Sequence, residues 1–527
     1  MHNPEPMISS DVVAQHIAAD QLPAETPSWK TTVTKLLRLV GIPLALLITL
    51  LTWAVSTAPY GEPDAPYHLT SIYCARGNWD GVCEPAASPD KRLVRTDAAT
   101  NVCYMGDAEK SAACVTNNYG RTNQQITEKG NFQGAYPELF YKTARLVVGK
   151  NTELNFLAVR TLNSVLITAL TAAVIALAAP QRRSPLWLAL AVTMVPVGIS
   201  IIASINPSAW AIFTPALVFV AAASSFERTG WRRWTLYALT GIAMVMAAGA
   251  RADAGIYALL GLVAALFLKV KLSRKVLLPV SIGAVLIAGI TAVFAIKGRS
   301  GYFTWDTLLD LIASPLHGGS NLLGNLQNIP YIWSGIFGSW GLGWFDVPLP
   351  HAVPFFGLFT FAGVMFVAMQ KMSARSTIVV GTMAALLVAL PLFILHQRQE
   401  AVGSFVQPRY LLPLFVLLAV VIIWNWGERT LNGPQKFVIG TFLVASNALS
   451  LYSVIVRYHA GYAGNSGLWW SSYAPAMAVT LLIGVLSFTV FVVGILTWPP
   501  LRANTQKAAS AELIPADDAE MTSLAAQ

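Results

Sequence analysis

About a dozen uninterrupted apolar runs of helix length decide what this chain can fold into. A helix crossing a bilayer needs roughly 17 to 25 mainly apolar residues. Such runs fall near 35–57, 154–179, 185–204, 207–225, 235–250 and 254–270, and again near 276–296, 353–370, 376–395, 410–426, 437–456 and 474–497. Stretches such as Leu154 to Ala179 and Leu411 to Trp426 do not alternate in polarity, which excludes the strands of a membrane barrel. Only 12% of the residues are charged and 55% are hydrophobic, whereas a soluble domain carries roughly 25% charged residues. A wholly soluble enzyme is excluded as well. The expected fold is an all-α polytopic membrane protein of about 12 transmembrane helices, with about 11 to 13 as the range.

Lys and Arg are retained in the cytoplasmic loops of such proteins. Here alternate connections hold Arg182 and Arg183; Arg228, Arg232 and Arg233; Lys269, Lys271, Arg274 and Lys275; Lys371 and Arg375; and Arg429 with Lys436. The remaining short connections carry far fewer cations, so both termini are expected in the cytoplasm, with the chain in the cytoplasmic membrane. The net charge of +9 then reflects this retention and the anionic lipid surface, and no nucleic-acid partner is expected. Residues 1–34 form a cytoplasmic disordered N-terminus without a signal peptide, 35–57 the first span and an uncleaved anchor, and 498–527 a polar cytoplasmic tail. Residues 154–497 form the helical core, with outer loops at 297–352 and 396–409.

The segment 58–153 is too long for a connector and reads as an extra-cytoplasmic loop domain. All four cysteines, Cys74, Cys83, Cys103 and Cys114, lie in it, as suits an oxidising compartment. Of the three pairings, Cys74 with Cys83 and Cys103 with Cys114 close the shortest loops. A zinc site is the rival, without a CxxC pair or clustered His to favour it. Of 26 acidic residues, 11 fall in this segment, eight in the tails and seven in short loops. None lies mid-span, which counts against ion-coupled transport. The chain has no GxxxxGK[ST] loop and no GxGxxG after a strand, so no nucleotide is expected. HExxH and GxSxG are absent too.

Four constellations remain near the outer face. Glu62-Pro63-Asp64-Ala65-Pro66-Tyr67-His68 reads as a helix start with Asp64 as N-cap and an apolar face on the lipid surface, and also as a carboxylate able to take a proton from a hydroxyl. Gly338-Ser339-Trp340-Gly341-Leu342-Gly343-Trp344-Phe345-Asp346 reads as an interfacial aromatic belt, or as a backbone that glycines let close to a sugar or lipid, with Asp346 a second acid or metal ligand. Gln407-Pro408-Arg409-Tyr410 sets at the mouth of a span an Arg that either snorkels or binds a lipid phosphate with its planar fork. A looser group holds Arg160, Asn206-Pro207, Arg251-Ala252-Asp253 and His396. Arg160 is the most informative of these because it lies within a span, and Arg251 and Asp253 can simply pair.

Taken in order, PDAPYH, GSWGLGWFDVPLP and QPRYLLPL resemble the bacterial multi-pass family designated domain of unknown function 2142, whose pattern runs PDEPxH, GxxGWxDxxxP and QGRYxxP. The resemblance extends from about Leu51 to about Leu418. Ala65 stands where that family commonly has Glu, leaving Asp64 the acid at the motif's centre, and Pro408 stands where it has Gly. The family is similar in layout to type C glycosyltransferases, polytopic enzymes with a catalytic acid in a large first outer loop and polyprenyl-phosphate sugars as donors. The resemblance therefore implies a membrane-embedded transferase acting on a cell-envelope glycan or glycolipid. Asp64 would serve as base and Arg409 as donor-phosphate ligand, with Arg160 and Arg251 as further phosphate ligands. His68, Asp346 and Tyr410 would shape the site, and Trp340 and Trp344 would stack on sugar rings. A divalent metal is compatible with a phosphate leaving group, but no ligand spacing shows one. The rivals are a flippase or exporter of lipid-linked glycans and an envelope-assembly scaffold.

Overall fold

A computed structural model describes residues 29–498, apart from 100–101, 119–121, 271–321, 371, 428, 463 and 465–474. The expected span at 276–296, the first part of the outer loop 297–352, and most of both tails lie outside the described residues. The chain is mainly helical, and seven described helices are long and apolar enough to cross a membrane. It is an all-α polytopic membrane protein in its core, with a small sheet that the expected all-helical fold did not include.

Helix α1 (Trp29–Ser56) leads into the segment 57–151, expected from its sequence to be extra-cytoplasmic and termed the outer segment on that expectation. There α2 (Ala65–Cys74) is followed by β1 (Cys83–Pro85), β2 (Arg92–Arg95), α3 (Thr96–Ala99), β3 (Gln124–Thr127) and α4 (Glu138–Ala144). The strands form an antiparallel sheet in the order β1-β2-β3, with Cys83 opposite Val94 and Leu93 opposite Ile126. Disulfides join Cys74 to Cys83 and Cys103 to Cys114, the pairing expected from loop length, and leave no sulfur for zinc. The first bond ties the end of α2 to β1. Helix α2 does not rest on lipid: Pro66, His68, Leu69, Ile72 and Tyr73 are all buried in protein, because the sheet and α4 cover the face that the sequence pattern assigned to the bilayer.

The core then runs through α5 (Thr152–Leu177), α6 (Pro180–Met194), α7 (Val197–Ile202), α8 (Ser208–Ala211), α9 (Thr214–Ser225), α10 (Gly230–Ala250) and α11 (Ala252–Lys269). The run expected as one span at 185–204 is broken between α6 and α7. Val195 is extended (φ −95°, ψ 133°), as the ring of a following proline demands, and Pro196 restarts the helix. After the undescribed stretch come α12 (Leu322–Ile336), α13 (Ala352–Ala368), α14 (Ala374–Arg398), α15 (Pro408–Ile423), α16 (Gly433–His459) and α17 (Met477–Leu496). Helix α12 was expected to be loop. Its apolar residues at Ile329, Ile332 and Ile336 turn inward while Leu322, Leu323 and Leu326 stay exposed. Helix α9 is buried along its whole length, packed by α10, α11 and α15.

Arg160 joins the core to the outer segment. It is fully buried in α5 and pairs with Glu62, while its amino groups donate to the carbonyls of Ala54, Thr57 and Ala58 at 2.6–3.0 Å. Those are end-of-helix carbonyls with no partner inside α1, so one guanidinium both caps α1 and fixes the turn after it. Arg160→Ala leaves the Glu62 carboxylate buried and uncompensated. The expected loss is about 3–5 kcal/mol, read as a lower thermal midpoint of the detergent-purified chain; an unchanged midpoint would remove Arg160 as the clamp.

Candidate functional site

The three motifs, far apart in the chain, meet at the end of the bundle where α1 finishes and α15 begins. Arg409 Nη2 donates to Asp64 Oδ2 at 2.7 Å, across 345 positions of sequence. A cavity of about 30 Å³ beside Arg409 is lined from all three motifs: Pro63; Trp340, Gly343 and Phe345; and Gln407 with Pro408.

Asp64 stands at the N-cap position of α2, but its side chain makes no capping hydrogen bond. Its backbone is left-handed, with φ 61° and ψ 18°, a conformation Asp tolerates better than most residues. The carboxylate is thereby turned away from the helix's N–H groups and towards Arg409, so the simple cap reading fails. Tyr60, Asp64 and Phe345 are three of the four non-glycine residues with positive φ among the described residues. Such backbone costs about 1–3 kcal/mol each and persists where surroundings over-determine it.

The two partners differ in exposure: the Asp64 side chain is 38% exposed and that of Arg409 7%. Besides Asp64, the Arg409 fork reaches only the Tyr410 hydroxyl, at 3.3 Å from Nη2. Its Nε and Nη1 are buried with no hydrogen-bond partner among the described residues. Arg251 approaches from α10's end, 4.9 Å above the Tyr410 ring. It does pair with Asp253, in a two-pronged contact at 2.9 and 2.7 Å, and its remaining amino group reaches Ser208 Oγ at 3.1 Å. Asn206 completes the ring. Its Nδ2 donates to the Pro63 carbonyl at 3.1 Å and its Oδ1 accepts from the Ser208 N–H at 2.9 Å.

Beneath Asp64, His68 is fully buried and its Nδ1 lies 2.9 Å from the Tyr141 hydroxyl. Burial pushes its pKa down to about 3; Asp64 opposes the shift, and Arg409 and Arg251 add to it. The imidazole is therefore neutral at physiological pH, with Nε2 buried and unpartnered. Tyr136 packs edge-on against it with ring centroids 5.5 Å apart, and burial raises that phenol to about 12. Tyr136 and Tyr141 escaped the sequence reading. Only the aromatic cluster Tyr136-Pro137-Glu138-Leu139-Phe140-Tyr141 in an otherwise polar segment could have pointed to them.

The other expected residues are placed apart from this pair. Arg160 holds main chain and Glu62, as described, and Asp346 is buried against Arg457, whose Nη2 donates to Oδ2 at 2.7 Å. The same guanidinium holds the carbonyls of Asp346, Tyr104 and Asp107. Oδ1 of Asp346 accepts from the Trp344 N–H, so both carboxylate oxygens are engaged. Arg457 stands in none of the three motifs, and its role comes only from these contacts. Trp344 donates from Nε1 to the Tyr60 carbonyl at 2.9 Å, whereas Trp340 lines the cavity with its indole beside Tyr331. The close approach that the glycines permit is to the protein's own backbone. A Cβ on Gly343, whose φ is +62°, would sit 2.8 Å from Asp346 Oδ1 and 2.9 Å from the Gly61 carbonyl. Among the described residues no three His, Cys, Asp or Glu converge as a metal site, and no step is assigned to a metal.

The fold and site define a multi-pass helical membrane protein whose first outer segment delivers a carboxylate to a buried arginine at the mouth of a core helix. The chain belongs to the family of predicted membrane proteins designated DUF2142, whose family model matches residues 47–418, the stretch that carries all three motifs. No curated protein and no solved structure matches the chain.

The His68 shift sets a pH dependence. The unfolded imidazole, with a pKa near 6.5, takes up a proton that the folded one refuses until about pH 3, so this contribution is complete above about pH 6.5 and is lost as the pH falls towards 3. Thermal unfolding in detergent at pH 7, 6 and 5 is expected to show a falling midpoint, with a shallower fall in His68→Gln; equal slopes would mean that His68 is not buried neutral.

Proposed function

We propose that this protein is a glycosyltransferase of the membrane, transferring a sugar from a polyprenyl-phosphate donor to a glycan or glycolipid acceptor on the outer face of the cytoplasmic membrane. The reading carries with it the type C layout of about twelve spans, with both termini in the cytoplasm. The observation that carries it is the Asp64–Arg409 pair, one partner reachable from water and the other a buried fork with unpartnered donors.

The donor phosphate binds Arg409 through the Nε and Nη1 groups that no described residue satisfies, in the two-pronged manner a guanidinium offers. The adjoining cavity of about 30 Å³ is smaller than a sugar ring, so the sugar and acceptor lie on the exposed side of Asp64. The acceptor hydroxyl attacks the anomeric carbon and gives its proton to Asp64. The bond from that carbon to the phosphate oxygen breaks, and its electron pair leaves with polyprenyl phosphate. Arg409 stabilises the charge growing on that oxygen, while Arg251 and Tyr410 hold Arg409 in place.

The test is complementation of cells lacking the protein, with envelope glycan linkages as readout and membrane abundance matched. Asp64→Asn is expected to lower transfer by roughly 10²–10⁴-fold, as for loss of a general base. Arg409→Lys should also fall, because an ammonium cannot reproduce the planar fork. Restoration of the glycan by Asp64→Asn at the wild-type level would sink the transferase reading, and dependence on Arg409 alone would then favour a flippase.

A further inference from the structure

A second, roomier cavity lies at the opposite end of α15, about 24 Å of helix away from Arg409. It encloses about 790 Å³, within the range of small-molecule sites. Its charged lining residues are Arg182, Arg429 and Lys436, with no acid among the described ones. Arg182 is already satisfied: its fork grips Glu227 at 2.7 and 2.6 Å, and it lies 3.8 Å above the Trp424 ring. Arg429 commits only Nη1, to the carbonyls of Asn425 and Trp426. Lys436 is half-buried in the first turn of α16, and its side-chain ammonium makes no hydrogen bond or ion pair with any described residue.

The rest of the wall has two characters. Leu186, Leu188, Ile423 and Leu496 make an apolar side, and Trp424, Trp426 and Trp498 line the cavity beside the cations. Tryptophan collects at the headgroup level of a bilayer. The same end of the bundle carries Trp231 and Trp234, 66% and 71% exposed, on the first turns of α10 beside Arg232 and Arg233. The cavity thus lies at the end of the bundle that carries exposed tryptophans and arginines, and its own lining combines cations with hydrocarbon-like walls. A ligand matching both must be anionic at one end and apolar at the other.

We propose that this cavity binds an anionic phospholipid, its phosphate against Lys436 and Arg429 and an acyl chain along Leu186, Leu188, Ile423 and Leu496. The site is separate from the Asp64–Arg409 pair and does not depend on what that pair does. Its role is to fix the basic end of α6, α15, α16 and α17 to one leaflet.

Native mass spectrometry of the full chain released from detergent, with equal phosphatidylglycerol and phosphatidylcholine present, tests this directly. The expected result is preferential retention of one phosphatidylglycerol, weakened roughly fivefold by Lys436→Gln, the effect of one membrane-facing cation, and more by Lys436→Glu. Arg232→Gln, which removes an exposed cation of the same end but outside the cavity, should leave retention unchanged. Equal retention of the two lipids, or an equal loss in Arg232→Gln, overturns the site. Displacement of the lipid by millimolar inorganic phosphate overturns the lipid in favour of a free anion. Circular dichroism confirms that each variant is folded, and Lys436 has no described partner whose loss would unfold it.

Discussion

A buried guanidinium carries five N–H donors and cannot shed its charge, and this chain places several of them at one end of its bundle. Each must find oxygen atoms or leave donors unsatisfied at a cost of about 1–3 kcal/mol or more. Arg160 and Arg457 find them in the main chain. Between them they donate to the loose end of α1 and the turn after it, to the carbonyls of Tyr104 and Asp107, and to the carboxylates of Glu62 and Asp346. The outer segment is held to the bundle by these two hubs, which reach points that no helix packing could join. Arg409 is the exception. Its side chain is 7% exposed where those of Arg160 and Arg457 are 0% exposed, and it satisfies one amino group and leaves the other two nitrogens without partners among the described residues. The contrast within one molecule supports the proposal that Arg409 is placed for a ligand, since neighbouring arginines show what a purely structural one looks like here.

The ring around Arg409 explains how that placement survives. Pro63, Asn206, Ser208, Arg251, Tyr410 and Arg409 are linked in sequence by hydrogen bonds and a cation-to-ring contact, and the last link returns to Asp64, next to Pro63. The segment after α1, the α7–α9 region and α15 each supply two members, and the end of α10 supplies Arg251. The left-handed backbone at Asp64 needs such closure, because a carboxylate free to relax would return to capping α2.

Much of the membrane architecture was legible because hydrocarbon admits so few solutions: apolar length alone located most helices to within a few residues. The breaks were harder. Pro196 interrupts an apolar run whose composition does not change, and α12 disguises itself by exposing Leu322 and Leu323 on one side. At the site, the motif residues Asp64, His68, Arg409 and Tyr410 were readable, since acids and cations near an apolar span are rare enough to notice. Their roles were not separable by type. Asp346 and Asp64 look alike in sequence, and so do Arg160 and Arg409; only the partners they meet, hundreds of positions away, make one of each pair structural. Tyr136, Tyr141 and Arg457 carried no local signal of that meeting.

The asymmetry of the Asp64–Arg409 pair bears on what a ligand must do. Asp64, with 38% of its side chain exposed, loses less by giving up its partner than the buried Arg409, which needs an anion at all times. An incoming phosphate and the Asp64 carboxylate therefore compete for the same fork, and the phosphate has two further donors to gain that Asp64 does not use. A phosphodiester anion entering here pays less desolvation than it would against a fully satisfied arginine, because the guanidinium is already stripped of water and partly unpartnered by the described residues. It also loosens Asp64 at the moment a second substrate needs a free carboxylate. On the transferase reading the resting ion pair is thus a placeholder: it keeps Arg409 charged, aligned and dry until the donor arrives, and donor binding itself releases the base. A scaffold would gain nothing from leaving a buried guanidinium half satisfied, and a flippase would have no use for a carboxylate held ready on the water side of it.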